Sequence, residues 1–270
     1  MNILNIALPI LYILALSFYG ISFFKESVKS EKFKKYLLSL TVLIHLLYLV
    51  LRTINFSHPP ITNVFEILTV ISFSLAVAYL FIEIKTKVRS TGFFILIVVV
   101  VFQILSSLFI KDLLNVPEVL RSNLLGFHVV SALLGFSAIT ISAVYGLLYL
   151  MLYHEIKTTR FGTIYQRLPN LEILEQMSFT ATVFGFVFLT IAIIIGAIWL
   201  PKAFENFSYT DPKLIGTTFI WLLYALGLIA NKFVHWRGKK IIWLSIIGFI
   251  ISFFSMTIIN MFFSNFHRFY

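Results

Sequence analysis

Long apolar segments alternate with short polar segments along the whole chain. Each apolar segment holds close to the ~20 residues that an α-helix needs to cross a bilayer. The segments are continuous rather than alternating in polarity, so they do not predict the strands of a β-barrel, the other fold that satisfies its backbone in lipid. The pattern predicts eight membrane-spanning helices: Ile3–Phe24, Tyr36–Ile54, Val64–Glu83, Thr91–Phe109, Leu124–Tyr153, Phe179–Leu200, Leu214–Ala230 and Ile241–Phe263.

The composition agrees with this pattern. Of the 270 residues, 60% are hydrophobic and only 12% are charged, whereas globular domains carry about a quarter charged residues. The segments between the predicted helices leave no room for a soluble domain. We therefore expect an all-α, polytopic integral membrane protein with a single membrane domain over residues 1–270. The fifth segment exceeds the thickness of a bilayer, so it should tilt or project into water.

The basic residues indicate the orientation. The loops 25–35, 85–90, 154–176 and 231–240 hold 15 of the 21 Lys and Arg residues. Because basic loops stay in the cytoplasm, both termini should face the outer side of a plasma (inner) membrane. The net charge of +10 reflects this bias and favours contact with anionic membrane lipid rather than with nucleic acid. The absence of cysteine excludes disulfides and Cys-ligated metals.

Two histidines share the outer side of the predicted topology. His128 lies near the outer end of the fifth span, above a stripe of small residues that predicts close helix packing. That stripe does not explain an imidazole. His267 follows the eighth span, on one helix face with Asn260 and Ser264. Two neutral imidazoles at one level can be the axial ligands of a haem iron; the alternative is two unrelated interfacial histidines.

A third histidine lies deeper. His45 falls about halfway across the second span, where an ionisable side chain is costly and marks a candidate functional site. The alternative is a hydrogen bond between helices. Arg52 follows seven residues later on the same helix face, and Glu66 near the outer start of the third span can pair with it, which would either order the loop or serve a site. The histidines of the loops, His58, His154 and His235, are interpreted as solvated.

Several motifs resemble one family. His45-x-x-x-Leu-x-x-Arg52 and Pro60-x-x-Asn63-x-x-Glu66 are similar to a paired signature of the CcsA/HemX-like cytochrome c assembly proteins. So are His128-Val with Leu134-Gly135-Phe136, the segment RLPNLEILEQM, and Asn260-x-x-x-Ser264-x-x-His267. Their order and spacing extend the resemblance over nearly the whole chain.

The external loop 201–213 resembles the tryptophan-rich haem loop of that family. The chain keeps its frame, namely Gly196, Ala197, Trp199, Ala203, Asp211, Pro212 and Lys213. Most of the family's tryptophan positions hold other residues, with Phe204 and Phe207 still aromatic. Ile229 stands where haem-attaching members carry a histidine. These departures favour the HemX-like branch of accessory proteins, and Trp199 is expected to anchor the membrane interface.

The resemblance implies a non-covalent haem b site that faces outward and takes part in cytochrome c assembly. His128 and His267 would bind the iron, and His45 would be a ligand on an entry route. The aromatic residues that would line the porphyrin are Phe204, Phe207 and Tyr209, on the frame of Asp211. The cations that would meet the propionates are Arg52, Lys202, Lys213 and Arg268. Other cytochrome c assembly proteins or a haem-biosynthesis enzyme would be the partners.

Two other functions stay open. A small-solute transporter is one, although no internal repeat or pair of broken helices supports it. A membrane scaffold that regulates a haem-biosynthesis enzyme through the loop 154–176 is the other. The sequence shows no catalytic triad, carboxylate pair or phosphate loop that would favour an enzyme.

Overall fold

The computed structural model describes residues 1–25, 28–112, 122–203, 208 and 210–255. Within these ranges the chain forms nine helices and no strand: α1 (Asn2–Lys25), α2 (Val28–Phe56), α3 (Val64–Thr86), α4 (Gly92–Phe109), α5 (Asn123–Lys157), α6 (Thr163–Arg167), α7 (Leu171–Ala203), α8 (Pro212–Phe233) and α9 (Lys239–Phe254). Seven of these helices, all except α6 and α9, are long and apolar enough to cross a membrane. The prediction of an all-α polytopic membrane protein is confirmed.

The predicted eighth span, Ile241–Phe263, is described only in part. Helix α9 covers its first half and ends at Phe254, and the remainder lies outside the described residues. The count of eight spans therefore stays a prediction, as does the placement of both termini on the outer side.

Two helices are longer than a bilayer requires. Helix α5 has 35 residues, which corresponds to ~52 Å at 1.5 Å per residue, against a hydrocarbon core of ~30 Å. This confirms that the fifth segment is too long to lie upright within the membrane. Helix α7 begins at Leu171, eight residues before the predicted start at Phe179. The charged segment that precedes the span continues the helix, because backbone hydrogen bonding does not depend on apolar side chains.

The chain forms two compact units. Unit 1 comprises residues 1–116 and 151–170, and unit 2 comprises residues 117–150 and 171–270. Helix α5 contributes to both. The expectation of a single membrane domain stays a prediction.

In unit 1, α1 packs against α2 and α4, and α3 packs against α2 and α4. The interior is rich in tyrosine, and the fully buried rings belong to Tyr12, Tyr19, Tyr48 and Tyr79. Helix α3 begins at the cap residue Asn63, whose side-chain oxygen accepts a hydrogen bond from the backbone N–H of Glu66. Such a cap satisfies an N–H that the first turn would otherwise leave without a partner, and it places Glu66 at the start of the helix.

In unit 2, the stripe of small residues on α5 packs against α7. A side chain at Gly135 would lie 3.1 Å from the backbone nitrogen of Leu189. About two turns further along the same face of α5, the hydroxyl of Ser142 bonds to the carbonyl of Ser178 at 2.8 Å and to the hydroxyl of Thr182 at 2.7 Å. The stripe therefore serves helix packing, as its spacing predicts.

Candidate functional site

His128 is held by a hydrogen bond to the backbone of α7. Its Nδ1 donates to the carbonyl oxygen of Ala192 at 2.8 Å. Because a carbonyl oxygen only accepts, Nδ1 carries the hydrogen, and in the neutral ring Nε2 then carries the lone pair. This is the arrangement in which a histidine binds a metal through Nε2, with its other nitrogen fixed by a backbone carbonyl.

Gly196 leaves the space that the His128 ring occupies. A Cβ atom at this position would lie 3.0 Å from Cε1 and 3.1 Å from Nδ1 of His128, closer than ordinary van der Waals contact. The glycine stands one helical turn after Ala192, so the same stretch of α7 supplies both the acceptor and the gap. The glycine of the resembled haem loop thus has a packing role.

The Asp-Pro-Lys sequence forms the start of α8. The Oδ1 atom of Asp211 accepts a hydrogen bond from the backbone N–H of Lys213 at 2.8 Å, and Pro212 occupies the first helical position. Aspartate at the cap and proline in the first turn are the residue types that helix N-termini favour. Asp211 is also buried. These contacts make Asp211 the cap residue of α8.

The side chain of Lys213 reaches the end of α9, within the same unit. Its Nζ donates to the carbonyl oxygen of Ser255 at 3.3 Å, and its ammonium is close enough to act electrostatically on His128. The structure therefore places Asp211 and Lys213 together at the start of α8, with an electrostatic interaction between Lys213 and His128. A cation beside the imidazole suits an anionic group on a ligand.

Other predicted residues cannot be placed in this way. His267, Phe204, Phe207, Tyr209 and Arg268 lie outside the described residues. The side chain of Lys202 does so too. Trp199, expected to anchor the membrane interface, is only 8% exposed. Its side chain is therefore packed against the protein rather than exposed at a membrane interface. The interpretation of His58 as a solvated loop residue was wrong, because His58 is only 2% exposed.

In unit 1, His45 lies in a buried network of hydrogen bonds. Its Nε2 is 2.9 Å from Oγ1 of Thr69, and its Nδ1 is 2.9 Å from the hydroxyl of Tyr12. Thr69 donates its hydrogen to Oε1 of Gln103 at 2.9 Å, so it accepts from Nε2, and a neutral His45 then accepts from Tyr12. Both ring nitrogens are thus bonded between helices, as the packing alternative for His45 requires. An iron ligand at this position would have to replace one of these bonds.

Arg52 and Glu66 form a buried ion pair. Nε and one terminal nitrogen of Arg52 donate to Oε1 of Glu66 at 3.0 and 2.8 Å. The side chain of Arg52 is 2% exposed and that of Glu66 is not exposed. The other carboxylate oxygen, Oε2, accepts from the backbone and the hydroxyl of Thr62. The predicted pairing is confirmed, and it fixes the loop before α3 to α2.

Comparison with known proteins identifies the family. A family model described as cytochrome c assembly protein matches residues 61–267. The chain belongs to the cytochrome c assembly protein family.

Relatives within this family support the assignment. The CcsA protein of Heterosigma akashiwo, named for cytochrome c biogenesis, is 30% identical over 242 residues, which cover 76% of this chain and 74% of the relative. The CcsA protein of Guillardia theta is 28% identical over 220 residues, or 74% and 73% of the two chains. Protein HemX of Bacillus subtilis is 27% identical over 241 residues, or 87% and 86%. The resemblance to CcsA and HemX proteins is confirmed.

Sequence reasoning missed several polar partners in this cytochrome c assembly protein. Tyr12 and Thr69 bond to His45, Gln103 bonds to Thr69, and Asp112 contacts Arg52. Gln103 alone carried a signal, because an amide in the middle of an apolar span needs a partner. Among the described residues, no three His, Asp or Glu side chains are grouped to hold a metal ion.

Proposed function

We propose that this chain is a membrane haem-handling protein of cytochrome c assembly, with a haem site on the outer side of the membrane. The names of its relatives, cytochrome c biogenesis protein CcsA and HemX, support the process. The observation that carries the site is the hydrogen bond from Nδ1 of His128 to the carbonyl of Ala192. It fixes the imidazole with its lone pair on Nε2, as a ligand for iron requires.

The residues around His128 suit a non-covalent haem b. Bound haem would supply an iron atom and two propionate groups. His128 and His267 would bind the iron, Phe204, Phe207 and Tyr209 would line the porphyrin, and Lys213 would meet a propionate. Lys213 is partly buried, interacts electrostatically with His128 and donates only to a carbonyl in the described contacts, so a carboxylate would give it a charge-assisted hydrogen bond.

The role that fits best is haem binding and delivery without bond formation by this chain. Ile229 stands where the haem-attaching pattern has a histidine, and Ser208 and Thr210 replace aromatic residues of the loop. These positions support an accessory role of the HemX kind. In unit 1, His45 is proposed to serve haem on an entry route, after exchange of its bond to Tyr12 or Thr69.

An absorption spectrum of the detergent-purified protein tests the site. The unmodified chain should show a Soret band, and both His128→Ala and His267→Ala should lose it. His235→Ala is the matched control, since His235 lies in the loop between α8 and α9, and it should keep the band. Haem that can be extracted with acidic solvent would show non-covalent binding. A chain that stays without a Soret band after haem is added, or a His128→Ala variant that retains it, would refute the site.

A further inference from the structure

Arg52 presents two edges of its guanidinium group to different partners. Glu66 binds one edge, at Nε and Nη2. The other edge meets two oxygen atoms from one short segment. Oδ1 of Asp112 accepts from Nη1 at 2.9 Å, and the carbonyl oxygen of Lys111 accepts from Nη2 at 3.0 Å. Together these two oxygens hold the positions that a bidentate carboxylate would take on the second edge.

The two acidic partners differ in how firmly they are held. Glu66 is fully buried, and its other oxygen accepts two hydrogen bonds from Thr62. The side chain of Asp112 is 50% exposed, and Lys111 and Asp112 follow the last residue of α4, Phe109, outside any helix. An exposed ion pair contributes little to stability. Glu66 is therefore the permanent counter-charge of Arg52, and Asp112 is replaceable.

We infer that residues 111–112 act as a plug on Arg52, and that a carboxylate of the ligand displaces them. The inference rests on the proposed function, since a porphyrin with two propionates is the ligand. It concerns unit 1 alone. The oxygen atoms of Asp112 and Lys111 carry the same total charge as a propionate and bond to Arg52 at the positions that its two oxygens would take.

The charges favour such an exchange. Arg52 and Glu66 form a neutral pair, and Asp112 adds one negative charge. A propionate that takes the place of Asp112 leaves the charge around Arg52 unchanged. A buried guanidinium is costly without a partner, but during the exchange Arg52 retains Glu66, as well as the ring of Phe56 at 4.7 Å. The site therefore stays folded with or without the plug, and it selects carboxylates over neutral groups.

A titration with a metal-free porphyrin tests the plug without any contribution from iron. Protoporphyrin IX and its dimethyl ester are each titrated into the full-length protein in detergent, with porphyrin fluorescence as the readout. Asp112→Asn removes the competing charge at nearly constant shape. It should tighten binding of the diacid about threefold to tenfold, which is the range for the net contribution of one typical hydrogen bond. Binding of the ester should not change.

Matched variants separate the plug from other effects. Asp112→Ala should give the same gain as Asp112→Asn, and Asp112→Glu, which keeps a carboxylate, should bind as the unmodified chain does. Glu31→Gln is the control, because Glu31 is another partly exposed carboxylate of unit 1 that pairs with a buried cation, Lys34. It should leave both titrations unchanged. Thermal unfolding of each variant verifies that it is folded.

Three results would overturn the plug. The first is equal binding of the diacid by the unmodified chain, Asp112→Asn and Asp112→Ala, including no binding by any of the three. An equal gain for the dimethyl ester is another, since the ester has no charge to bind Arg52. Weaker binding in the variants is the third. The spectrum of His128→Ala reports on the haem site separately. If His128→Ala loses the Soret band but the Asp112 variants bind the diacid no more tightly, only the plug is refuted. If His128→Ala keeps the Soret band and the Asp112 variants bind the diacid more tightly, only the proposed haem site is refuted.

Discussion

Nε2 of His45 on α2 and Oγ1 of Thr69 on α3 form a buried hydrogen bond of 2.9 Å. Thr69 also donates to Gln103 on α4, so one hydroxyl joins three helices of unit 1. Removal of that hydroxyl would leave a donor and an acceptor without a partner at the centre of the unit.

Thr69→Val should therefore lower the free energy of unfolding by about 1 to 2 kcal/mol, the usual cost of unpaired buried polar groups, which tends to the low end in membranes. Thr53→Val is the control, because the hydroxyl of Thr53 bonds only to the carbonyl of Leu49 in its own helix. Thermal unfolding in detergent compares the two. Equal losses in both variants would show that the network around His45 contributes no stability.

Gly196→Ala should displace the imidazole of His128. The added methyl group would lie 3.0 Å from Cε1 of the ring, whereas nothing lies within 4 Å of a methyl group at Gly126. Gly126→Ala on α5 is therefore the control. We expect haem retained after purification to fall severalfold in the first variant and to stay constant in the second. Unchanged retention in Gly196→Ala would show that the ring position does not matter for binding.

Asp211 is expected to act as the cap of α8 rather than as a contact to the porphyrin. Asp211→Ala should lower the free energy of unfolding by about 1 kcal/mol, whereas Asp211→Asn keeps a capping oxygen and should lie close to the unmodified protein. Unfolding and haem retention are measured on the same samples. Loss of haem in Asp211→Asn with normal stability would contradict this role and indicate that the charge contacts the ligand.

The two carboxylates on Arg52 should differ in their contribution to stability. Glu66→Gln breaks a buried ion pair and should cost about 3 kcal/mol or more. Asp112→Asn breaks a half-exposed pair and should cost less than about 1 kcal/mol. Chemical or thermal unfolding of the two variants gives the comparison. If the two costs were equal, the assignment of Glu66 as the permanent partner would be wrong.

Stability should also depend on pH through Glu31. Burial raises the pKa of this carboxyl, but hydrogen bonds from Lys34, Ser22 and Arg89 together bring it below the usual value of glutamate. A lowered folded pKa means that the ionised group stabilises the protein above the unfolded pKa of about 4.3. That contribution is lost as the pH falls through the folded pKa.

Glu31→Gln should therefore unfold at a lower temperature than the unmodified chain at neutral pH, and the difference should shrink as the pH falls below about 4. Unfolding temperatures of both proteins over a pH series measure it. A difference that is independent of pH would mean that shape, and not charge, accounts for the effect of the substitution.

The sequence predicted the features that depend on local pattern. Apolar runs located the helices that can cross a membrane, and the spacing of small residues predicted the packing of α5 at Gly135 and Ser142. The pairing of Arg52 with Glu66 could be predicted because both are costly near lipid and lie close in sequence. Each of these inferences depended only on residues that lie close together in the sequence.

Partners that lie far apart in sequence could not be predicted. Tyr12 and Asp112 look ordinary in their own segments, and their roles arise only when α1 and the end of α4 pack beside α2. The tautomer of His128 is a further example, since it depends on a carbonyl 64 residues away. Hydropathy also placed the start of α7 too late, because the charged residues before the apolar segment continue the helix.

The bond between His128 and Ala192 has a consequence for electron transfer. An imidazole that donates from Nδ1 to a carbonyl becomes a more basic ligand at Nε2. Stronger donation stabilises the oxidised state of a bound iron and lowers its reduction potential. A haem iron bound by His128 would therefore be harder to reduce than one bound by an unconstrained histidine, so one backbone carbonyl of α7 would help to set the reduction potential of the site.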